Sequence, residues 1–394
     1  MWELLDELGW TLRGGAAFRP DSRYAGLPDV QTLSAAHTMA LQSGVPREAA
    51  DRFSGGATGF VAELVGSRPG PTVGIRIDLD ALPITESTAT GHRPSDEGFA
   101  STITGQMHAC GHDGHVAIGL RLAAALSDEP DFPGTVRLVV QPAEEGVRGG
   151  QVMVEAGACD DVDMLLAVHL GFGVADRTIA PATDLYATTK FRATYRGRSA
   201  HASNAPQEGR NALLAAATAL VGLHSLPRFS GTPTRVNVGR LVGGAAPNII
   251  ADEAVLEGEI RAGEAAAATE LVRRAGLVLR AAGDAQEVDL SYERTGYAVA
   301  ARNDPAMVER LRECAARVGL RENGSWPLRA SDDASVLMER VQASGGQALY
   351  LLVGSGTYGD HHSPTFDLDE DALDPAAAFL ENLIRTNHES DETS

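Results

Sequence analysis

Three short apolar runs in the first half of the chain end in residues that carry chemistry, and this pattern constrains the fold more than any other feature. Residues 72–78 lead into Asp78 and Asp80, 134–140 lead into Glu144 and Glu145, and 163–169 close on His169. Their length and aliphatic content predict strands. Between them, the Ala-rich stretch 115–126 and the run 150–156 predict helices. Strands alternating with helices predict a mainly parallel sheet covered on both faces. In such a sheet ligands gather at the carboxyl ends of the strands, where these polar residues stand.

The pattern changes near Asp184. Residues 187–195 alternate like a strand, 208–223 read as a helix, 234–242 and 249–261 alternate again, 264–281 read as a helix and 287–292 as a last strand. Strand-helix-strand-strand-helix-strand predicts a compact antiparallel α+β unit of the ferredoxin-like kind. After it, helices are expected at 305–318, 334–343 and 369–386, with a strand at 347–353. Single cores stop growing at roughly 250–300 residues, so 394 residues call for more than one domain. The expected division is a first domain over 1–183 and 296–394, interrupted by a second over 184–295. At the start, 2–12 read as an amphipathic helix and 20–49 as an excursion over the surface; the polar tail 388–394 is expected to fray.

A formal net charge of −20 disfavours nucleic acid and anionic membrane as partners. An anionic substrate would need its own local Arg or Lys. The three cysteines, Cys110, Cys159 and Cys314, are too few and too scattered for a disulfide framework. No basic-then-apolar leader opens the chain, and no apolar run approaches the roughly 20 residues that span a bilayer. The expectation is a soluble cytoplasmic protein.

The densest signal is Met107-His-Ala-Cys-Gly-His-Asp-Gly-His115, just before a helix. Cys110 and His112 are two apart, so in extended chain their side chains point the same way. Thiolate and imidazole suit divalent metals of the Zn, Mn or Ni type. Glu144 and Glu145 are neighbours and diverge, so one can hold metal while the other serves as general base. Alone, such a pair is an ordinary solvated strand end, and a lone His169 an ordinary core histidine. Together with Cys110, His112 and one of His361 and His362, they make an inventory sufficient for two metal ions.

Several runs carry a resemblance: Asp78-Leu-Asp-Ala-Leu-Pro83, the Met107–His115 motif, Gln141-Pro-Ala-Glu-Glu145, Ala167-Val-His169, Ala200-His-Ala-Ser203 and His362-Ser-Pro-Thr-Phe366. In order and spacing the chain resembles the M20 metallopeptidase family, in its aminoacylase/amidohydrolase branch. The resemblance implies a zinc-peptidase-like α/β catalytic domain with a mixed sheet, and an inserted lid that dimerises. It implies Cys110, His112, Glu145, His169 and His362 as ligands of two divalent ions, Mn or Zn with Ni or Co as alternatives. Glu144 is the implied general base, and Asp80 a catalytic-site group near the metals. His201 resembles a lid histidine that reaches a partner protomer's site and steadies an oxyanion. Asn248 and Arg261 resemble lid residues that hold the substrate's carbonyl and carboxylate.

The implied reaction is hydrolysis of the amide bond of an N-acyl or N-aroyl amino acid, with p-aminobenzoyl-glutamate first. Other conjugates such as auxin-aspartate, or a non-catalytic partner subunit of the same fold, are the alternatives. A homodimer is expected, or a pairing with a related second subunit. Two departures stand out. The family's N-terminal Arg-Arg/His-Pro-Glu run does not occur, and its Gly-Ser-Glu-Asp run appears as Ala330-Ser-Asp-Asp333, a segment expected near the substrate end of the pocket.

Overall fold

The computed structural model describes residues 1–18 and 27–387. Part of the expected 20–49 excursion and the whole of the 388–394 tail lie outside these residues. Two compact units form. One is built from residues 1–18, 28–184 and 301–387, and the other chiefly from Leu185–Ala300.

The first unit is a nine-stranded mixed sheet. Its centre is parallel: Arg68–Asp78 lies between Pro133–Gln141 and Met164–Leu170, and Gln347–Val353 runs beside Met164–Leu170. Every residue of Met164–Leu170 is buried, as expected for a strand covered on both faces. Antiparallel pairs flank this centre, and the short Arg321–Glu322 strand runs parallel to Thr178–Leu185 at one edge. Phe60–Val65 pairs with Pro133–Gln141, Thr11–Gly14 pairs with Phe60–Val65, and Thr178–Leu185 pairs with Gln347–Val353. The expectation of a mainly parallel sheet therefore holds chiefly for its middle. The helix expected over 2–12 stops at Glu7, and Gly9 takes φ +83°, which turns the chain into an edge strand.

Period-2 alternation separates the two faces. Val73, Ile75 and Ile77 join Val136, Leu138, Leu349 and Leu351 in one core with helices His112–Asp128, Pro305–Arg317 and Leu373–Arg385. Arg76, Gln141 and Tyr350 have the opposite parity, on the side where helices Gly149–Glu155 and Ala334–Ala343 pack together. Gly150 makes that approach feasible, since a Cβ there would stand 2.2 Å from the Asp333 carbonyl oxygen.

The second unit is a four-stranded antiparallel sheet in the order Asp289–Ala298, Ala187–Arg196, Glu253–Ala262, Thr234–Gly243. Two helices, Ala212–His224 and Ala265–Ala285, complete a strand-helix-strand-strand-helix-strand chain. The Asn211 side chain caps the first of them, accepting from Leu214 N at 3.0 Å. Phe191, Tyr195, Leu256, Leu271 and Leu279 fill the core beneath them. The last strand continues through residue 295, where the sequence pattern set a boundary.

Arg76 is fully buried in the first unit and reaches three partners. It donates to Asp78, to Asp332 at 2.9 Å and to Gln141 at 3.0 Å. Removing one member of a buried ionic group costs ~3–5 kcal/mol, because the others stay behind unpaired. Arg76→Met is therefore expected to lose stability of that size, read as a lower urea midpoint in equilibrium unfolding.

Candidate metal and catalytic centre

Several groups expected at the site leave the end of a central strand. Asp78 ends Arg68–Asp78, Glu144 and Glu145 follow Pro133–Gln141, and His169 is the penultimate residue of Met164–Leu170. Gly111, with φ +87°, forms the N-cap of helix His112–Asp128 and turns the chain between Cys110 and His112. Three non-glycine residues near the site adopt left-handed backbone: Ala143 (φ 57°), Phe172 (φ 52°) and His362 (φ 64°). Each such conformation costs about 1–3 kcal/mol and persists only where the surroundings impose it. The bond from His362 N to the Ala109 carbonyl, 2.7 Å, is one such constraint.

Candidate ligand atoms of Cys110, His112 and His169 lie within 4.8 Å of one another, and so do those of Cys110, Glu145 and His362. Cys110 Sγ is 3.6 Å from His169 Nε2, and His362 Nε2 is 3.4 Å from Glu145 Oε2. Hydrogen bonding sets the tautomers. His112 Nδ1 donates to the Asp80 carbonyl at 3.0 Å, and His169 Nδ1 donates to the Leu170 carbonyl at 2.9 Å. Both rings thus turn Nε2 inward, and His112 Nε2 is buried with no hydrogen-bond partner. A buried, unpartnered ring nitrogen beside a thiol and carboxylates fits a cation, which would take the place of any proton there.

His115 behaves otherwise. Its Nδ1 donates to Asp78 at 2.5 Å and its Nε2 accepts from Leu170 N at 3.0 Å, so both ring nitrogens are used. His361 stacks on Phe172, with centroids 4.6 Å apart, and burial lowers its pKa. Of the late pair, His362 is the one that faces Glu145.

The electrostatics also ask for positive charge. Burial, then Glu145 and Glu144, push the Cys110 thiol up, so a nearby cation is what would favour its thiolate. Burial would lower His112, but Asp78 and Asp80 outweigh it and lift the ring to about 9. Burial, then Asp332 and Asp333, raise Glu144 well above the usual carboxylate range. Glu144 is 8% exposed, and its Oε2 is 3.9 Å from His112 Nε2. Asp80 stands behind these groups. Its Oδ2 accepts from Glu145 N at 3.0 Å while its carbonyl accepts the His112 Nδ1 hydrogen bond, so it orients both His112 and Glu145.

Sequence reasoning missed the support beneath the site. Asp332 accepts from Arg76, from Ala334 N at 2.7 Å and from Tyr350 Oη at 2.6 Å. Asp333 accepts from Gln141 Nε2 at 2.5 Å and from Gly150 N at 2.7 Å. Burial, then Asp332, push Asp333 up to about 8. In the altered run, expected near the substrate end, Asp332 and Asp333 belong to this buried network; with Asp332 4% and Asp333 0% exposed, neither presents a carboxylate to solvent. A lone arginine inside an apolar strand was the available signal.

His201, Asn248 and Arg261 belong to the second unit. His201 forms a bridge with Ile249, and Ala202 N donates to the Asn248 carbonyl at 3.0 Å. His201 Nδ1 accepts from Ser203 N at 3.1 Å and Asn204 N at 3.2 Å, which leaves the proton on an exposed Nε2. Arg261 forks onto Glu259, with both contacts 3.1 Å.

Residues 74–386 match Peptidase family M20/M25/M40. This chain belongs to that family. It is 42% identical to indole-3-acetyl-aspartic acid hydrolase of Enterobacter agglomerans and 40% identical to one of the subunits of p-aminobenzoyl-glutamate hydrolase from Escherichia coli; each match covers 98% of this chain and 88% of the relative. The crystal structure of aminobenzoyl-glutamate utilization protein from Klebsiella pneumoniae superposes with a TM-score of 0.83 at 36% identity, over 97% of this chain and 88% of that one. The M20 chain is an amidohydrolase that uses divalent metal. Among the described residues Cys110, Cys159 and Cys314 are free, and no helix is long and apolar enough to cross a membrane.

If Cys110 holds metal, Cys110→Ala lowers the metal-to-protein ratio measured by elemental analysis after loading with Mn or Zn. An unchanged ratio removes it from the ligand set.

Proposed function

We propose that this M20 chain hydrolyses the amide bond of an N-acyl or N-aroyl amino acid and releases the free amino acid. p-Aminobenzoyl-glutamate is the leading substrate; conjugates such as indole-3-acetyl-aspartate are the alternative. The observation that carries this reading is the convergence of candidate ligand atoms from Cys110, His112, Glu145, His169 and His362, with Glu144 beside them. Those five residues would hold two divalent ions, Mn or Zn. Such ions polarise an amide carbonyl and acidify water when bound.

The remaining roles belong to the chain's own side chains. Glu144 takes a proton from the attacking water and returns it to the leaving amine nitrogen. His201, a donor at Nε2, stabilises the oxyanion. Asn248 holds the substrate carbonyl, and Arg261 exchanges Glu259 for the substrate carboxylate. Retention of both the ligand set and the base favours an enzyme over a non-catalytic subunit. Leu214, Val221 and Val242 are exposed on helix Ala212–His224 and on the edge strand packed beside it, which supports a homodimer.

Glu144→Ala is expected to lower kcat on p-aminobenzoyl-glutamate by ~10²–10⁴-fold, the usual yield of a general base, with metal content unchanged. Released p-aminobenzoate, followed alongside elemental analysis, reads both. Near-normal turnover in the variant would remove Glu144 from its role.

A further inference from the structure

The sheet of the second unit contains one charge arrangement that its own packing leaves uncompensated. Its register fixes rows of cross-strand neighbours on the face that carries Arg261. Thr188, Arg261 and Arg235 form one row, Lys190, Glu259 and Asn237 the next, and Arg192, Glu257 and Arg240 a third. Directly opposed side chains share a face, with Cβ atoms ~5 Å apart.

Along most of this face opposite charges meet. Glu257 pairs with Arg192 at 2.8 Å and with Arg240 at 3.1 Å. Arg196 lies across from Glu253 at 3.3 Å. The bulge between Val238 and Arg240 is what brings Arg240 into line with Glu257. The first row breaks the rule, because Arg235 lies directly opposite Arg261. Like charges in that position destabilise a sheet. Thr188 brings no countercharge from the other side, and Thr234–Gly243 is the sheet edge, so within the protomer no strand lies beyond Arg235. Glu259 compensates one guanidinium by its fork onto Arg261. Arg235 stays exposed, and among the described residues its guanidinium donates one hydrogen bond, 2.8 Å to the Thr234 carbonyl, and meets no carboxylate.

Two adjacent guanidiniums, one masked by a single exchangeable carboxylate, are suited to a ligand with two carboxylates. We propose that Arg235 and Arg261 form a dicarboxylate-binding pair that selects an acidic amino acid as leaving group. Arg261 takes the α-carboxylate and Arg235 the side-chain carboxylate of the glutamyl or aspartyl moiety. Glu259 is displaced from Arg261 as the substrate binds, and Lys190, across from it in the register, remains to hold it. This rests on the reading above that Arg261 binds the substrate's carboxylate, and adds the residue that distinguishes an acidic from a neutral amino acid.

The test compares p-aminobenzoyl-glutamate with p-aminobenzoyl-glutamine on the metal-loaded full-length chain. Wild type is expected to favour the glutamate conjugate in kcat/KM. In Arg235→Gln that preference falls by about 10- to 100-fold, the worth of a charge-assisted hydrogen bond, and Arg235→Lys recovers part of it. Arg261→Gln lowers kcat/KM on both conjugates. Arg235→Gln with the wild-type preference overturns the proposal, as does a wild type that cleaves both conjugates equally well. Calorimetry of free glutamate and glutamine gives a readout that needs no turnover. Glutamate-selective binding lost in Arg235→Gln supports the pair even if neither conjugate is cleaved, an outcome that would sink the amidase reading alone. Absence of such selectivity, with hydrolysis intact, sinks the pair alone.

Discussion

The site rests on one buried cation. Arg76 is an arginine in the middle of an apolar strand, and an unpaired charge there would be prohibitive. Asp78, Asp332 and Gln141 meet it directly, and Asp333 lies 3.7 Å away. Two of these partners come from a turn more than 250 residues further along the chain, after the second unit has been made. The network therefore ties together the two stretches of chain that build the first unit. It also reaches the site, because the carboxylate of Asp78 that meets Arg76 meets His115 as well.

Around that base the histidines differ in the hydrogen-bonding capacity they have to spare. His115 is saturated by Asp78 and Leu170, so it orders its neighbours and has nothing left for a cation. His112 and His169 each spend Nδ1 on a carbonyl and keep Nε2. Carboxylates outnumber the single buried arginine around them, and burial strengthens the imbalance. Burial first, and the surrounding carboxylates after it, raise the thiol of Cys110 and the carboxyl of Glu144. Divalent cations are the natural complement. In the second unit the imbalance has the opposite sign, with Arg235 and Arg261 side by side at one end of a sheet face whose other cations are paired.

Much was legible in the sequence because it is local. Apolar runs ending in Asp, Glu and His announced strands that deliver chemistry to one edge. The Met107–His115 cluster announced metal, and the alternation after Asp184 announced a second sheet with two helices. These signals depend on periodicity and on residue types a few positions apart, which a single stretch of chain decides by itself. The antiparallel flanks were not legible. Phe60–Val65 and Thr178–Leu185 become edge or near-edge partners only through pairing with distant strands, and the first helix stops where one glycine allows it.

What the chain alone determined is the set of reactive side chains and the elements that carry them. Tertiary structure decided how those side chains are used. Only folding could show that His362 faces Glu145 while His361 stacks on Phe172, and that Asp332 and Asp333 are enclosed around Arg76. Only the register could place Arg235 across from Arg261. The physical reason is common to all of these. A side chain's protonation, tautomer and charge balance are set by whichever groups are brought within a few ångströms of it, and in this molecule most of those groups come from far along the chain.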